Sequence, residues 1–410
     1  MPRRILLITQ WFDPEPTFKG ILFAKELVSR GFEVEVITGF PNYPGGTLYD
    51  GYRIKFIQKE FIDGVLVTRV PLFPSHDKSK LGRVFNYLSF AFSALIYGLF
   101  FSKRADVIYA YHPPLTVGIS ALIIKLFRRV PVVLDIQDMW PDTLQATGMI
   151  SNLRLLGFVS KVCNLIYSSV TKIIVLSSGF KYLLIDRGVP ENKIEIIYNW
   201  ADEKVLRSTA NETPKELASI EGFKILFAGN VGQAQGLNVI LDAALLLKDD
   251  VEKPHFLVLG RGLQLNDLMG RAIDLNLDNV HFLPAVGMEE VGAFLGSVDA
   301  LLIHLNSDPL FEITIPGKTQ AYMAVGKPII MGVSGDASNL VLRADCGICF
   351  EPENSVALAE AAKSLMLLDS TDIERLGKNA ERFYDKNLSV KVGVDSFVKV
   401  FNEVIDRTQS

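Results

Sequence analysis

Two polar residues, His112 and Asp138, follow successive apolar runs of the sequence and have the clearest potential for chemistry. His112 ends the run Asp106–His112 and precedes two prolines, and Asp138 comes after the run Val130–Asp135. A histidine at such a place can donate to a phosphate oxygen or a sugar hydroxyl, and an aspartate can accept from sugar hydroxyls or act as a base. In the alternative interpretation, His112 only caps a strand and Asp138 only begins a helix.

A lysine and a glycine precede the first predicted helix and offer a site for an anion. Lys19 and Gly20 lie directly before the helical stretch Ile21–Arg30, so a lysine charge and the N–H groups of a helix start face the same place. The loop is neither a GxGxxG sequence nor a P-loop, which lowers support for dinucleotide-dependent redox chemistry and for NTP hydrolysis. The alternative is a Lys-Gly pair that serves turn geometry alone.

A glycine-rich loop and an arginine in the second half also favour anion binding. Gly229, Asn230 and Gln235 belong to a loop that follows an apolar run and contains spaced glycines, which let the backbone approach an anionic group. Arg261 follows the run His255–Gly260, and its guanidinium can bind a diphosphate through two parallel hydrogen bonds. Turn geometry for the glycines and a solvated surface arginine are the alternatives.

The densest cluster of candidate residues spans 306–328. Glu312 supplies an acid there, and Lys318, Thr319 and Gln320 begin a predicted helix. The Gly-Lys-Thr sequence lacks the upstream glycine of a Walker A motif and does not directly follow its strand. It still places a lysine at a helix N-terminus. This arrangement favours a phosphate-binding site over a helix start with no binding role.

Short apolar strands alternating with helical stretches must position these residues, and this alternation indicates parallel α/β architecture. The pattern restarts after the polar segment 201–222. We predict two doubly wound, Rossmann-like parallel-sheet domains, 1–200 and 223–385, that face each other across a cleft. Residues 201–222 are the predicted linker, and 386–410 a C-terminal helix that packs back toward the first domain. The predicted strands are Ile5–Thr9, Glu33–Thr38, Val65–Val70, Asp106–His112, Val130–Asp135, Lys172–Leu176, Ile194–Tyr198, Lys224–Ala228, His255–Gly260, Val280–Leu283, Ala300–Leu305, Pro328–Met331 and Gly347–Phe350.

An apolar segment, Val84 to Phe101, runs for 18 residues without a charge. Strands are predicted on both sides of it within one domain, so we reject a membrane span. Residues 1–200 carry a net charge of +7 and the remainder −11, and a basic half favours an anionic membrane surface. We predict a monotopic interfacial helix, with a buried core helix as the alternative. The residues predicted to contact the membrane are Phe85, Tyr87, Phe90, Phe92, Phe100, Phe101, Lys103 and Arg104.

The three cysteines, Cys163, Cys346 and Cys349, are too few for a disulfide framework and indicate a reducing compartment. Cys346 and Cys349 form a lone CxxC, which is a weak signal for redox chemistry or metal binding. No DxD pair of the metal-binding kind follows a predicted strand, and we expect neither a metal nor another cofactor. Nothing in the sequence resembles a nucleic-acid-binding motif.

These motifs occur in an order that resembles a known family. They include QWFDPE…KG, YHPPL, DIQDMWPD, IIYNWAD, FAGNVGQAQGL, LVLGRG and IPGKTQAYMAVGKPII, and they span nearly the whole chain. The sequence resembles the retaining GT-B glycosyltransferases of glycosyltransferase family 4. Within that family it is most similar to the WbuB-type enzymes, which add N-acetylated deoxyhexosamines during bacterial O-antigen or capsule assembly.

The resemblance implies metal-independent transfer, with retention of configuration, from a UDP-N-acetylhexosamine-type donor. It places Lys19 and Gly20 in a phosphate-facing glycine loop and His112 and Asp138 near the transferred sugar. The apolar segment Val84 to Phe101 and a second apolar, basic stretch, Ala121 to Arg129, suggest a polyprenyl-diphosphate-linked saccharide as the acceptor. The expected location is the cytoplasmic face of the bacterial inner membrane.

The sequence departs from the family pattern in its donor site. Asn230 and Gln235 stand where the family has an arginine and a lysine for the diphosphate, so Arg261 and Lys318 are the candidate replacements. The family's pair of glutamates is broken. Glu312 lies one residue from the first position, Ala321 occupies the second, and Gln320 is the candidate for contacting the ribose hydroxyls.

Two other functions remain open on the sequence alone. A nucleotide-sugar 2-epimerase shares the two-domain fold and also breaks the anomeric bond, although an epimerase needs no lipid surface. A non-catalytic protein that binds a nucleotide sugar would fit the broken acidic pair. Epimerisation without an acceptor distinguishes the first, and binding without turnover distinguishes the second.

Overall fold

A computed structural model describes residues 2–75, 80–146, 149–150 and 152–409, with the side chains of residues 80 and 409 left out. The chain divides into two compact units, Met1–Tyr198 with Val394–Ser410, and Asn199–Gly393. The segment 201–222, predicted as a linker, therefore lies inside the second unit. It is not a free connection because it contains a helix, Glu203–Thr209, which Asp202 caps by accepting from the N–H of Val205 at 3.2 Å.

The sheet of the first unit has the order β3-β4-β2-β1-β5-β6-β7-β8 within the described residues, and only the β3–β4 pair is antiparallel. Parallel strands are covered by helices on both faces, which explains why the inner strands read as continuous apolar runs. The strands are Arg4–Ile8 (β1), Glu33–Gly39 (β2), Gln58–Ile62 (β3), Val65–Val70 (β4), Val107–His112 (β5), Val132–Ile136 (β6), Lys172–Val175 (β7) and Ile194–Ile196 (β8).

The edge strand β3 is not among the strands predicted from the sequence. Its residues alternate between half-buried and exposed positions, and its composition, Gln-Lys-Glu-Phe-Ile, is largely polar. An edge strand that faces water has no need for an apolar run. The pairing of Lys59 with Thr68 and of Phe61 with Leu66 fixes its antiparallel register.

The helices of the first unit fill the connections between its strands. Asn152 caps α5 by accepting from the N–H groups of Arg154 and Leu155, and Arg129 ends α3 in the left-handed conformation. The helices are Ile21–Ser29 (α1), Lys80–Phe100 (α2), Thr116–Arg128 (α3), Asp142–Ala146 (α4), Leu153–Ser169 (α5) and Ser178–Asp186 (α6).

The sheet of the second unit is wholly parallel, with the order β11-β10-β9-β12-β13-β14. Its core packs Phe227, Ile240 and Leu241 with other buried aliphatic residues. The strands are Lys224–Asn230 (β9), His255–Arg261 (β10), Val280–Leu283 (β11), Ala300–His304 (β12), Ile329–Gly332 (β13) and Gly347–Cys349 (β14). The remaining helices are Glu203–Thr209 (α7), Asn238–Leu246 (α8), Leu265–Asp274 (α9), Met288–Gly296 (α10), Pro309–Glu312 (α11), Gly317–Val325 (α12), Asp336–Ala344 (α13), Ser355–Met366 (α14), Ser370–Asn387 (α15) and Val390–Gln409 (α16).

The C-terminal helix α16 belongs to the first unit from Val394 on. Phe397 and Phe401 pack their rings edge-on against Tyr109 of β5, with centroids 5.5 and 5.6 Å from its ring. On β6 Leu134 faces α3, because a side chain added at Gly118 would contact it at 3.6 Å. Leu134 pairs with Ala110 in the sheet, the neighbour of Tyr109, so α16 and α3 cover opposite faces.

Each sheet reverses its strand order at one point. In the first unit this switch lies between β1 and β5, and in the second between β9 and β12. Ligands of open parallel sheets bind in the crevice outside the carboxyl ends of the strands at such a switch. His112 ends β5 and Asn230 ends β9, so both switches carry polar residues that the sequence singled out.

Among the helices of the described residues, Leu81–Phe100 is long and apolar enough to cross a membrane. The strands on either side of it, β4 and β5, nevertheless belong to one sheet. Two of the residues predicted to contact lipid are core residues instead, because Tyr87 is 8% exposed and Phe90 is fully buried. They lie on the face of α2 that packs against the rest of the unit. The predicted residues Phe85, Phe92, Phe100, Phe101, Lys103 and Arg104 are exposed.

Candidate functional site

His112 is buried at the carboxyl end of β5 with neither ring nitrogen satisfied. The side chain has no exposed surface, and neither Nδ1 nor Nε2 has a hydrogen-bond partner in the part of the chain that the structure describes. Burial lowers the pKa of His112 to about 3, so the ring is neutral at physiological pH and can donate from one nitrogen. Because a buried polar group without a partner is costly, the ring is suited to receive a hydrogen bond from a ligand or to donate one.

Asp138 lies two residues beyond the end of β6. Burial raises the pKa of its carboxyl to about 6. The negative charge of Asp138 contributes to raised pKa values of Tyr43 and Tyr87, so the three side chains are close. A carboxyl with a pKa near neutrality can accept a hydrogen bond from a hydroxyl or take its proton.

Aromatic side chains surround these two residues. Trp140 lies edge-on to His112 with ring centroids 5.6 Å apart and is 6.4 Å from the ring of Tyr87. Trp11 and Tyr43 stack at 4.5 Å. Flat apolar rings with a few convergent polar groups are typical of small-molecule sites. Trp11 and Tyr43 were not predicted as site residues, although both lie in loops that follow predicted strands.

Glu15 holds the loop that carries Tyr43. Its Oε1 accepts from the N–H groups of Asn42 and Tyr43, each at 2.8 Å, and Oε2 accepts from the N–H of Phe12 at 3.2 Å. Burial nevertheless raises the pKa of Glu15 to about 7. Nothing in the spacing of the sequence distinguished this glutamate from a surface residue.

Replacing Glu15 with glutamine is expected to remove a pH dependence from the stability of the protein. The ordinary pKa is 4.5 and the folded pKa about 7, so the folded state binds the proton more tightly. The stabilisation is complete below pH 4.5 and is lost as the pH rises through 7, a fall of roughly 3 kcal/mol in the free energy of unfolding. Thermal unfolding from pH 4.5 to 8 measures it. Exposed Asp50→Asn is the control, and parallel curves for wild type and Glu15→Gln would contradict the expectation.

Lys19 does not face a ligand, contrary to the sequence-based prediction. Its side chain is fully buried, with Nζ 5.1 Å from the ring centroid of Phe397 and 6.0 Å from that of Phe23. Burial lowers its pKa to about 8, and the charge of Asp135 opposes this shift. The ammonium group is therefore an interior partner of Asp135, whose carboxylate also accepts from the hydroxyl of Tyr109 at 2.6 Å.

The helix start after Gly20 is also already occupied. Asp13 Oδ2 accepts from the N–H of Ile21 at 2.6 Å, so a carboxylate of the chain takes the place predicted for a phosphate. A side chain at Gly20 would lie 2.1 Å from the same oxygen. Gly20 is thus required by the close approach of Asp13.

In the second unit, Lys318 lies over the end of β9. Its Nζ is 3.4 Å from the ring centroid of Phe227, and a side chain at Gly229 would meet its Cε at 2.9 Å. Burial lowers the pKa of Lys318 to about 7. No carboxylate of the described residues forms an ion pair with it, so a lysine without an acidic partner lies at the switch point of this sheet.

Thr319 and Gln320 follow Lys318 and differ in whether their polar side-chain atoms have hydrogen-bond partners in the described part of the chain. Thr319 is fully buried, and its Oγ1 has no hydrogen-bond partner among the residues described. Gln320 is also buried, and its amide nitrogen lies 3.0 Å from Pro316 O and 3.2 Å from Gly317 O. The amide nitrogen of Gln320 is thus used at the start of α12, and contact of this side chain with ribose hydroxyls stays a prediction.

Arg261 and Asn230 end neighbouring strands and pair in register. Both are exposed, and Arg261 has no ion pair among the described side chains. A side chain at Gly260 would lie 1.9 Å from Gly229 O, so the two strand ends approach as closely as glycine allows. Gln235 Oε1 accepts from the N–H of Gly232 at 3.0 Å and lies 3.4 Å from Asn230 Nδ2. The structure thus brings Gly229, Asn230, Gln235, Arg261 and Lys318 to one end of the sheet.

Glu312 is exposed at the end of α11. The backbone around it is constrained, because a side chain at Gly335 would lie 2.0 Å from Glu312 O. His304 was not predicted as a site residue. Its Nδ1 lies 2.7 Å from Gln235 O, and its Nε2 accepts from the N–H of Glu353 at 2.9 Å. Because both ring nitrogens are satisfied, His304 fixes the loop that carries Gln235.

Comparison with protein families accounts for both units. Residues 22–200 match the family described as Glycosyl transferase 4-like domain, and residues 209–383 match the family described as Glycosyl transferases group 1. The chain carries the two domains of a glycosyltransferase. Two curated relatives support this assignment over most of the length of the chain.

This glycosyltransferase is similar to two relatives that are themselves named as glycosyltransferases. The probable glycosyltransferase WbjE of Pseudomonas aeruginosa is 23% identical over 346 residues, which are 82% of this chain and 84% of the relative. The putative colanic acid biosynthesis glycosyl transferase WcaI of Escherichia coli (strain K12) is 26% identical over 377 residues, or 88% of this chain and 90% of the relative.

Solved structures give the same fold. HepE of Anabaena, in complex with UDP and glucose, superposes with a TM-score of 0.72 at 15% identity and covers 98% of this chain and 100% of its own. Sucrose-phosphate synthase of Thermosynechococcus elongatus has a TM-score of 0.69 at 14% identity and covers 99% of this chain and 100% of its own. The glycosyltransferase therefore has the GT-B fold predicted from its sequence.

Proposed function

We propose that this glycosyltransferase transfers an N-acetylated hexosamine, in some cases a deoxy sugar, from a UDP-sugar to a polyprenyl-diphosphate-linked saccharide. The reaction belongs to the assembly of a bacterial surface polysaccharide and retains the configuration of the sugar. The observation that carries the proposal is His112, which is buried at a sheet switch point with both ring nitrogens unsatisfied among the described residues. The name of the relative WcaI, which refers to colanic acid biosynthesis, supports the polysaccharide context.

The second unit supplies the proposed site for the nucleotide. Lys318 and Arg261 give it positive charge at the ends of β9 and β10, and the hydroxyl of Thr319 has no partner among the described residues. HepE binds UDP and UDP-glucose on the same fold, which supports a UDP-sugar as the donor. Two side-chain cations and the N–H groups of α12 can neutralise a departing diphosphate, so the proposal includes no metal.

In the proposed reaction, groups of this chain stabilise the leaving diphosphate and orient the sugar. The bond between the anomeric carbon and the diphosphate oxygen breaks while the acceptor hydroxyl forms its bond on the same face. The hydroxyl proton passes to the departing diphosphate, whose charge Lys318 stabilises as the ammonium ion. His112 donates to the sugar or the phosphate, and Asp138 accepts from a sugar hydroxyl and orients it.

The membrane forms part of the proposal. Phe85 is 61% exposed and Phe100 is 71% exposed on α2, and Phe92 and Phe101 are exposed beside them. Lys103 and Arg104 follow the helix at the surface. Exposed aromatic rings with flanking basic residues favour an interfacial position at an anionic leaflet. This supports a monotopic location on the cytoplasmic face of the inner membrane.

A donor panel tests the proposal. Purified enzyme is given UDP-N-acetylhexosamines and their deoxy forms with a polyprenyl-diphosphate-linked saccharide, in the presence of EDTA. Product from one donor with a retained anomer by NMR is the expected result. Conversion of the donor without acceptor would replace the proposal with 2-epimerisation. UDP binding with no turnover of any donor would favour a non-catalytic protein, and loss of product with EDTA would contradict metal independence.

A further inference from the structure

The helices α2, α3 and α5 of the first unit pack side by side, with α3 in the middle. The last turn of α3 contacts both of its neighbours. Arg128 Nη2 donates to Leu99 O of α2 at 2.6 Å, and Lys125 Nζ donates to Ser169 O of α5 at 2.5 Å. Because α3 covers the face of the sheet opposite to α16, the three helices form one outer layer of the unit.

Large apolar side chains are exposed on all three of these helices. The side chains lie between 64% and 76% exposure, and they are Phe92 and Phe100 on α2, Phe127 on α3, and Phe158 and Leu165 on α5. Phe100, Phe127 and Leu165 lie near the last turns of their helices, where α3 contacts α2 and α5. The exposed apolar residues of α5 therefore belong to the same outer layer as those of α2.

The charged residues of these three helices are all basic. Each helix contains two lysine or arginine residues and no aspartate or glutamate. The exposed residues Arg129, Lys103 and Arg104 follow α3 and α2 and add to the positive charge. On α5, Lys161 is exposed three residues after Phe158 and four before Leu165, so the three side chains share one face of the helix. A surface with this charge is complementary to an anionic one.

The helices α1 and α16, on the other face of the sheet, differ in both respects. Phe23 of α1 packs against Phe397 of α16 with ring centroids 4.9 Å apart, so these two helices share a face. Each contains as many acidic as basic residues, and no large apolar residue is exposed among their described side chains. The combination of exposed apolar residues with purely basic charge therefore distinguishes one face of the unit from the other.

We propose that α2, α3 and α5 form one docking surface for an anionic lipid bilayer, with Phe158 and Leu165 of α5 in contact with lipid. Apolar side chains enter the interface, and Lys161 and Arg129 meet the headgroups. A second copy of this chain does not fit, because two such faces would bring like charges together. The inference rests on the proposed membrane location and deepens it, because it assigns a contact to α5 and turns a single helix into a whole face.

Binding of the full-length enzyme to phosphatidylglycerol vesicles, measured by sedimentation, tests the docking surface. Lys161→Gln is expected to weaken binding roughly fivefold. Its matched control, Lys399→Gln, removes the same charge from an exposed lysine of α16 and is expected to leave binding unchanged. Phe158→Ser is expected to weaken binding roughly tenfold. These side chains are exposed, so the melting temperature is expected to stay the same in every variant.

A fluorescence measurement identifies the residues that enter the lipid. Phe158→Trp is expected to retain vesicle binding, and its added fluorescence over the wild type is expected to be quenched by brominated phosphatidylglycerol. Lys399→Trp places the same ring on α16, on the opposite face, and its added fluorescence is expected to stay unquenched. Quenching of both added tryptophans to the same extent would overturn a docking surface that is confined to one face.

The outcomes separate the docking surface from the proposed function. Unchanged vesicle binding in Lys161→Gln and Phe158→Ser would overturn the contact through α5, and the proposed sugar transfer would stand. An equal loss in Lys161→Gln and Lys399→Gln would overturn it in favour of a net-charge effect. Binding to polyglutamate in place of vesicles would replace the bilayer with an acidic protein. Vesicle binding through α5 by an enzyme that transfers no sugar would support the surface and reject the proposed reaction.

Discussion

His112→Leu is expected to lower the rate of sugar transfer by roughly 100-fold or more, while the melting temperature stays unchanged or rises. Both ring nitrogens of His112 are buried and lack partners among the described residues. Replacing an unsatisfied buried polar group with an apolar one of similar size removes a desolvation cost. Stability and activity therefore respond in opposite directions at this position. Initial rates with a lipid-linked acceptor and differential scanning calorimetry on the same preparation measure the two effects.

The second buried histidine gives a matched control. His304 bonds with both ring nitrogens, to Gln235 O at 2.7 Å and to the N–H of Glu353 at 2.9 Å. His304→Leu removes the partners of two part-buried backbone groups and is expected to cost about 1–3 kcal/mol of unfolding free energy. A comparable loss of stability in His112→Leu would mean that His112 is a structural histidine, and would remove the main support for the proposed function.

Lys318→Met is expected to weaken UDP binding by roughly 100-fold and to abolish a proton uptake that accompanies it. The free side chain has a pKa lowered to about 7 by burial, so most molecules carry a neutral amine at pH 8. A bound diphosphate raises this pKa because it favours the ammonium ion. The wild type is therefore expected to take up nearly one proton on binding UDP at pH 8 and very little at pH 6.

Calorimetry in buffers of different ionisation enthalpy measures the uptake. Lys327→Met is the control because Lys327 follows the same helix and burial lowers its pKa as well, while it lies outside the proposed site. Weaker binding in both variants would indicate a loss of packing and not of a phosphate contact. UDP binding without proton uptake in the wild type would show that Lys318 does not meet the diphosphate.

The alternation of strands and helices could be predicted because burial on both faces makes parallel strands continuous apolar runs. The strand ends were predicted to within about two residues, as for β5 and β10, in keeping with the usual uncertainty of such boundaries. The polar edge strand β3 gave no such signal. The helix in segment 201–222 was missed because its polar composition, with a proline nearby, is equally typical of a loop.

The sequence predicted site residues only from their chemical type and from their position directly after a strand. His112 and Asp138 were found because side chains that follow parallel strands lie at the ligand-binding edge. Trp11, Tyr43 and Glu15 were not found, because their proximity to this edge depends on how the loops after β1 and β2 fold together. Backbone N–H groups of one loop bind Glu15 of the other, and no local pattern of the sequence encodes that contact.

The sequence by itself determined the class of fold, the two units and the strand ends at which polar residues collect. Only the tertiary structure decided which of those residues are available. Lys19 and Lys318 each stand at a helix start, but Lys19 is enclosed beside Asp135 and Phe397, whereas Lys318 lies over Phe227 without an acidic partner in the described chain. Likewise, Phe90 is buried and Phe85 is exposed because the two side chains lie on different faces of α2. Availability depends on contacts between residues distant in sequence, and these form only when the elements pack.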